Sequence, residues 1–169
     1  MSDIPIYKVG AVLVHGDRVL LVRPHPKNAG EVPPLVLPRG SRQYRDAQGD
    51  WRDARDAETA QRHADTLEPL ARALAREVEE EAGLPAALLP GLPTIDLGPM
   101  AFQSRSKGLY PVHWFQLTLD DAAVGALRPP ADASEVRWMT MEAVRAGIMG
   151  GTISAGYWPV IARVLGEVV

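Results

Sequence analysis

The sequence contains no cysteine. That absence excludes a disulfide scaffold, a thiolate zinc centre and a cysteine nucleophile together. It is compatible with a reducing compartment. Aromatic residues are scarce, and no stretch approaches the ~20 consecutive apolar residues that a membrane-spanning helix needs. Residues 1–8 carry an acid and a proline early and lack the apolar run of a signal peptide. The expectation is a cytoplasmic protein with no membrane partner. A basic excess is missing too: the formal net charge is −3, which argues against nucleic acid as the partner. What is present is 46% hydrophobic residues in a chain of 169, enough for one domain with its own core. Neither an internal repeat nor a domain boundary is visible, so a single domain over residues 1–169 is expected.

Lys8–Val14 and Arg18–Arg23 are short runs rich in β-branched residues, separated by His15-Gly16-Asp17. They predict a β-hairpin with Val12, Val14, Leu20 and Val22 at alternate-face positions. Pro24–Pro34 is punctuated as a loop, and Leu35-Val36-Leu37 reads as a short strand entering a turn at Pro38-Arg39-Gly40. Residues 41–66 are polar and charged, with little apolar content beyond alanine and Trp51. They read as an inserted surface excursion, either with a helical part over Asp53–Ala64 or as a mobile loop. Leu67–Ala82 is the clearest helix. Leu70, Ala71, Leu74, Ala75, Val78 and Ala82 recur at spacings of 3 and 4, Pro69 suits its first turn and Gly83 its end. Thr94–Leu97, Val112–Leu119 and Val136–Met139 read as strands, and Met141–Ala146 and Trp158–Val168 as helices.

The chemistry concentrates on the Leu67–Ala82 helix. Glu77, Glu80 and Glu81 stand at i, i+3 and i+4, so their carboxylates gather on one face. Like charges at that spacing repel, by a few tenths of a kcal/mol per pair. A cation among them resolves the repulsion, and an oxygen-only donor set suits Mg²⁺ or Mn²⁺, ions that also bind phosphates. A run of glutamates is more often a solvated face. Here Arg76 reaches Glu80 at i+4, and Glu68 lies eight residues before Arg76 on the same side of the helix, so partners exist that could orient the acids.

At these residues the sequence resembles the Nudix hydrolase superfamily. Arg76-Glu77-Val78-Glu79-Glu80-Glu81-Ala82-Gly83-Leu84 matches the second half of the Nudix box, and Glu68 stands in register with its middle part. The opening glycine of the box belongs six residues before Glu68, where Arg62 stands instead. Gly40, within Leu37-Pro38-Arg39-Gly40, is the natural counterpart, so about 22 residues are inserted inside the box. The insertion leaves every helical position in register. The early hairpin, the later strands and the C-terminal helix follow the family's order as well.

The resemblance implies an α/β/α sandwich around a mixed β-sheet and a metal-dependent hydrolase of phosphoric anhydrides. Glu80 and Glu81 would be the main metal ligands, and Glu77 a further ligand or the base that activates water. The backbone carbonyl of Arg39 would complete the metal shell, with Gly40, Glu68, Arg76 and Gly83 as structural residues of the box. Asp132 and Glu135 are candidates for an extra acid outside it. Mg²⁺ or Mn²⁺ would bridge carboxylates and phosphates. The implied partner is a small nucleotide-like diphosphate: a nucleotide sugar, ADP-ribose, a dinucleoside polyphosphate or a nucleoside triphosphate. Arg39, Arg42, Arg105 and Lys107 are candidate phosphate partners, and Tyr110 and Trp51 could stack on a base. His113, Trp114 and Phe115 read as residues of an apolar strand. Family members are often dimers. The alternative is a non-catalytic Nudix-fold module that binds a nucleotide and regulates a partner. Such modules typically lose box acids, and all are present here.

Overall fold

The computed structural model describes residues 5–104 and 107–166; Arg105 lies outside the described residues. Strands β1 (Lys8–His15) and β2 (Arg18–Pro24) form the predicted hairpin, with Val14 opposite Val19 and His15 opposite Arg18. Below that end the two strands splay, and residues 35–41 enter the gap. Val36 bridges to Val22, and the Ala11 amide donates to the Pro38 carbonyl at 2.9 Å. Strand β3 (Arg39–Ser41) then runs antiparallel to the start of β1. The predicted strand at Leu35–Leu37 is reduced to isolated bridges. Prolines on both sides of it supply no amide hydrogen with which to extend a ladder.

The insertion is ordered structure. Strands β4 (Gln43–Arg45) and β5 (Trp51–Asp53) make a two-stranded hairpin, followed by helix α1 (Ala57–Arg62). The helix falls inside the predicted stretch and is capped by Asp56, which accepts the Thr59 amide at 2.7 Å. The hairpin was not legible, since three residues per strand are too few for a periodic signal. Trp51 pins it down: the guanidinium groups of Arg45 and Arg72 both lie over its ring, 4.9 and 4.5 Å from the ring centre. Tyr44 stacks on His63 at 3.9 Å.

Helix α2 (Leu70–Ala82) begins three residues later than its periodicity suggests. Pro69 disfavours a helical backbone at Glu68 and becomes the cap itself. Gly83 ends it with φ of 76°, its amide donating to the Glu79 carbonyl at 3.1 Å. The buried side is Ala73, Leu74, Val78 and Ala82; Ala71, placed in the stripe by spacing, is exposed. The rest of the chain is β6 (Thr94–Ser104), β7 (Gly108–Thr118), α3 (Asp121–Gly125), β8 (Ala133–Thr140), α4 (Met141–Met149) and α5 (Trp158–Val164).

The main sheet runs β6-β7-β1-β2-β8, with β3 also on β1. β1 and β7 are parallel and the other pairs antiparallel, so the sheet is mixed as expected. On one face Val9, Ala11, Leu13, Leu20 and Val22 pack with the buried side of α2. On the other, Val12, Val14, Val19 and Leu21 cluster with Val144 of α4 and Val160 and Ile161 of α5. Helices on both faces make this an α/β/α sandwich. They also bury both faces of β1 and β2, with Val12 and Val14 on the α4–α5 side and Leu20 and Val22 on the α2 side. Among the described residues no helix is long and apolar enough to cross a membrane.

Candidate active site

The splayed hairpin delivers Gly40 to the underside of α2. On β3 it stands opposite Val9, whose side chain faces that helix. A Cβ on Gly40 would lie 1.9–2.2 Å from three atoms of the Glu77 carboxyl group, so only glycine lets that carboxyl rest on the strand. Glu77 is 6% exposed and Glu68 2%. Acids buried this deeply require partners.

Arg76 supplies them. It grips the Glu68 carboxylate with two prongs, Nη2 at 3.0 Å and Nε at 3.1 Å, the strong planar form of the pair. The same guanidinium donates to the Ser41 carbonyl at 2.7 Å, to Glu77 Oε1 at 2.6 Å and to Glu80 Oε2 at 3.2 Å. One cation therefore ties the loop entry, the approach to the helix and two of the acids. Glu68 also accepts the Gln43 amide at 3.0 Å, while its own amide donates to the Gln43 carbonyl at 2.7 Å. The insertion thus leaves and rejoins the fold at one pinch, and its length does not disturb the site. Arg42 serves that pinch: its guanidinium bonds the carbonyls of Glu68 at 2.9 Å and Ile6 at 2.8 Å.

Around this brace the charges do not balance. Burial lifts Glu77 to a pKa of about 7 against the opposing pull of Arg76. Burial, then the charges of Glu77, Asp132 and Glu80, lift Glu81 to about 7. Glu80 is raised by burial although Arg76 opposes it. Asp132, the residue before β8, joins them, its amide bonded to the Glu80 carbonyl at 3.0 Å. Glu135 is engaged elsewhere: Arg23 at 2.8 Å and Arg137 bind its carboxylate and hold it below the usual range. The structure therefore gathers Glu77, Glu80, Glu81 and Asp132. Among the described residues no three acids or histidines already converge as a coordination shell. Arg76 occupies an oxygen on each of two, Glu77 and Glu80. The donor set is nonetheless all oxygen, and Arg76 pairs with only two of the four acids, a chemistry suited to a hard cation.

The insertion returns to these acids. Asp53 on β5 is close enough for its charge to act on Glu77 and Glu80. Behind it the hairpin and α1 enclose a cleft of about 500 Å³, with Gln43, Arg52 and Arg55 among its walls. Trp51 also lines this cleft, and the contacts of its ring with Arg45 and Arg72 hold the insertion together.

On the other side of β3 stand cations. Arg39 donates through Nε to the Tyr157 hydroxyl at 2.8 Å and through Nη1 to the Tyr110 hydroxyl, with its guanidinium 4.4 Å from the Phe102 ring centre. Tyr110 is buried in that arrangement. Lys107 is exposed beside the β6–β7 turn. Lys8, which the sequence reading passed over, is half-buried and donates to Ser41 Oγ at 2.6 Å. Its signal was parity: Lys8 shares a strand face with buried Val12 and Val14, whereas a lysine opening a strand reads as a solvated end. His113 and Trp114 are strand residues. His113 bonds Asp96 at 2.6 Å, and Trp114 fills the space over Gly10, where a Cβ would meet its ring at 2.4 Å.

Comparison with known proteins finds the same fold elsewhere. A Nudix hydrolase from Nitrosomonas europaea superposes with a TM-score of 0.59 at 19% identity, over 96% of this chain and 90% of that one. A bifunctional NMN adenylyltransferase/ADP-ribose pyrophosphatase from Francisella tularensis, solved with AMP and a manganese ion, gives 0.52 at 17% identity, over 97% of this chain and 42% of that one. An Ap4A hydrolase from C. elegans gives 0.52 at 14% identity, over 94% and 98%. At these identities the likeness shows the fold. No curated protein matches the sequence. The sequence model of the NUDIX domain, however, matches residues 5–163. That is nearly the whole chain, and the protein belongs to the NUDIX domain family.

Proposed function

We propose that this protein is a divalent-metal-dependent pyrophosphohydrolase acting on a nucleoside diphosphate linked to a second moiety. The observation that carries the reading is the Glu77 carboxyl seated on Gly40, braced by the buried Glu68–Arg76 pair, with Glu80, Glu81 and Asp132 crowded beside it. A structure that holds like charges together at the cost of raised pKa values is organised for a cation that arrives with the substrate. Glu80 and Glu81 are the main ligands in this reading, with Glu77 and the Arg39 carbonyl beside them. Bound Mg²⁺ or Mn²⁺ neutralises phosphate charge and lowers the pKa of water.

The chain's own residues do the rest. Arg76 orients Glu77 and Glu80, and Gly40 gives Glu77 its seat. Glu77, a further ligand or the base in this reading, is the box acid that would take the proton of the attacking water. Of the two acids outside the box, Asp132 is the better placed, because the Glu135 oxygens are taken by arginines. The test is a panel of ADP-ribose, nucleotide sugars, dinucleoside polyphosphates and nucleoside triphosphates with Mg²⁺ or Mn²⁺, products separated by chromatography. The expected result is turnover of one class, lost in EDTA and in Glu81→Gln. No cleavage of any class, with a nucleotide still raising the melting temperature, would transfer the reading to a regulatory module.

A further inference from the structure

Lys8 is a half-buried cation without an acid. Among the described residues no carboxylate lies within ion-pair distance of it, and its partner is the Ser41 hydroxyl at 2.6 Å. Arg39 is in the same position: its partners are the hydroxyls of Tyr157 and Tyr110 and the face of Phe102. Buried charges are ordinarily paired, because removing an ion from water without a counter-charge is expensive. These two do not stand apart. Lys8 faces Ser41 and Gly10 faces Arg39 in the antiparallel register, so both cations project from the same side of the β1–β3 ladder. Lys107 approaches from the β6–β7 turn. Burial, then the charges of Lys107 and Arg39, lower the pKa of Lys8 to about 8.

The ladder separates two walls of opposite sign. Gly40 presents the α2 side, where Glu77 rests, while Arg39 and Ser41 on either side of it present the other. The walls are near one another: the charge of Glu77 acts on Lys8, and that of Arg39 acts on Glu81. Acids that want a cation thus adjoin cations that want an anion.

The geometry points to Lys8, with the Ser41 hydroxyl and with Arg39 and Lys107 beside it, as a direct anion subsite that takes a phosphate group of the substrate without a metal. It rests on the proposed pyrophosphate site, yet it is separable from the reaction. Lysine is suited to this role as a compact point charge.

The test is calorimetric binding of methylenediphosphonate, a diphosphate that cannot be hydrolysed, in EDTA. Wild-type protein is expected to bind it. Lys8→Met weakens binding about fivefold or more, as loss of one partly exposed charge contact implies, while Lys8→Arg retains it. Lys107→Ala, in an exposed turn, weakens it by a smaller factor and answers the question if Lys8→Met does not fold. Glu77→Gln leaves binding intact or tightens it, since a negative charge is removed nearby. The inference is overturned if wild type does not bind at millimolar probe, if Lys8→Met and Lys107→Ala bind like wild type, or if Lys8→Arg loses as much as Lys8→Met. Turnover in the substrate panel with Lys8-independent binding overturns the subsite alone. Lys8-dependent binding with no turnover of any class removes the hydrolase reading and leaves the subsite standing.

Discussion

Glu77→Gln is expected to stabilise the metal-free protein while abolishing its activity. Glu77 is buried and its carboxyl pKa stands at about 7 against an ordinary 4.5. A raised pKa means that the folded chain holds this proton more tightly than the unfolded chain. Below pH 4.5 both forms are protonated and the native state bears no penalty. The penalty grows between 4.5 and about 7 and is complete above that. At ~1.4 kcal/mol per pH unit its upper bound is about 3 kcal/mol. Glutamine keeps the shape and can still accept the Arg76 bond, though more weakly than a carboxylate, so a net gain of about 1–3 kcal/mol remains. For a chain of this length that corresponds to about 3–10 °C in Tm. Thermal melts of both proteins in EDTA at pH 8 and pH 4 measure it: a gain at pH 8 that shrinks towards zero at pH 4. Millimolar Mg²⁺ should raise the Tm of wild type more than that of the variant. A variant that melts at or below wild type at pH 8, or a gain equal at both pH values, would refute the claim that burial of the Glu77 charge outweighs its pairing with Arg76.

Three further substitutions probe the frame. Gly40→Ala should leave the fold in place, by circular dichroism, and reduce kcat about a hundredfold, because the new Cβ displaces the Glu77 carboxyl from its seat. Arg76→Met leaves buried Glu68 with only the longer Arg72 ion pair at 3.9 Å and should cost about 3 kcal/mol in urea unfolding at neutral pH. Gly83→Ala sets a side chain at φ 76° and 1.8 Å from the Arg128 carbonyl oxygen. Left-handed strain alone costs about 1–2 kcal/mol, and displacement of the Arg128 segment adds to it, so a loss above about 2 kcal/mol should appear in the same assay.

The α2 helix was legible because its signals are local. The apolar spacing, Pro69 at its start and Gly83 at its end lie within one stretch of chain, and the clustering of Glu77, Glu80 and Glu81 follows from the same geometry. The early hairpin was legible for the same reason. The insertion was legible only as an interruption. Its helix has a propensity and a cap, whereas its hairpin is stabilised by contacts of the Trp51 ring with Arg45 and Arg72, and Arg72 lies twenty-one residues further along the chain.

Residue types told less about roles wherever a side chain's partners are distant. Arg42, Arg39 and Tyr110 were all candidates for touching substrate. Arg42 closes the pinch beneath the insertion, while Arg39 bonds Tyr110 and borders the proposed anion subsite. Glu135 could not be distinguished from Asp132 by sequence, since the difference lies in Arg23, whose strand pairs with β8.

The sequence by itself determined the family, the mixed α and β composition and the acids that line up on α2, because each rests on spacing along one continuous segment. Tertiary structure alone decided that Gly40 meets Glu77 across the insertion, that one arginine joins Ser41, Glu68, Glu77 and Glu80, and that Lys8 and Arg39 face away from the acids without a counter-charge. Those are relations between segments far apart in the chain, set by where the sheet places its strands, and no local pattern of residues encodes them.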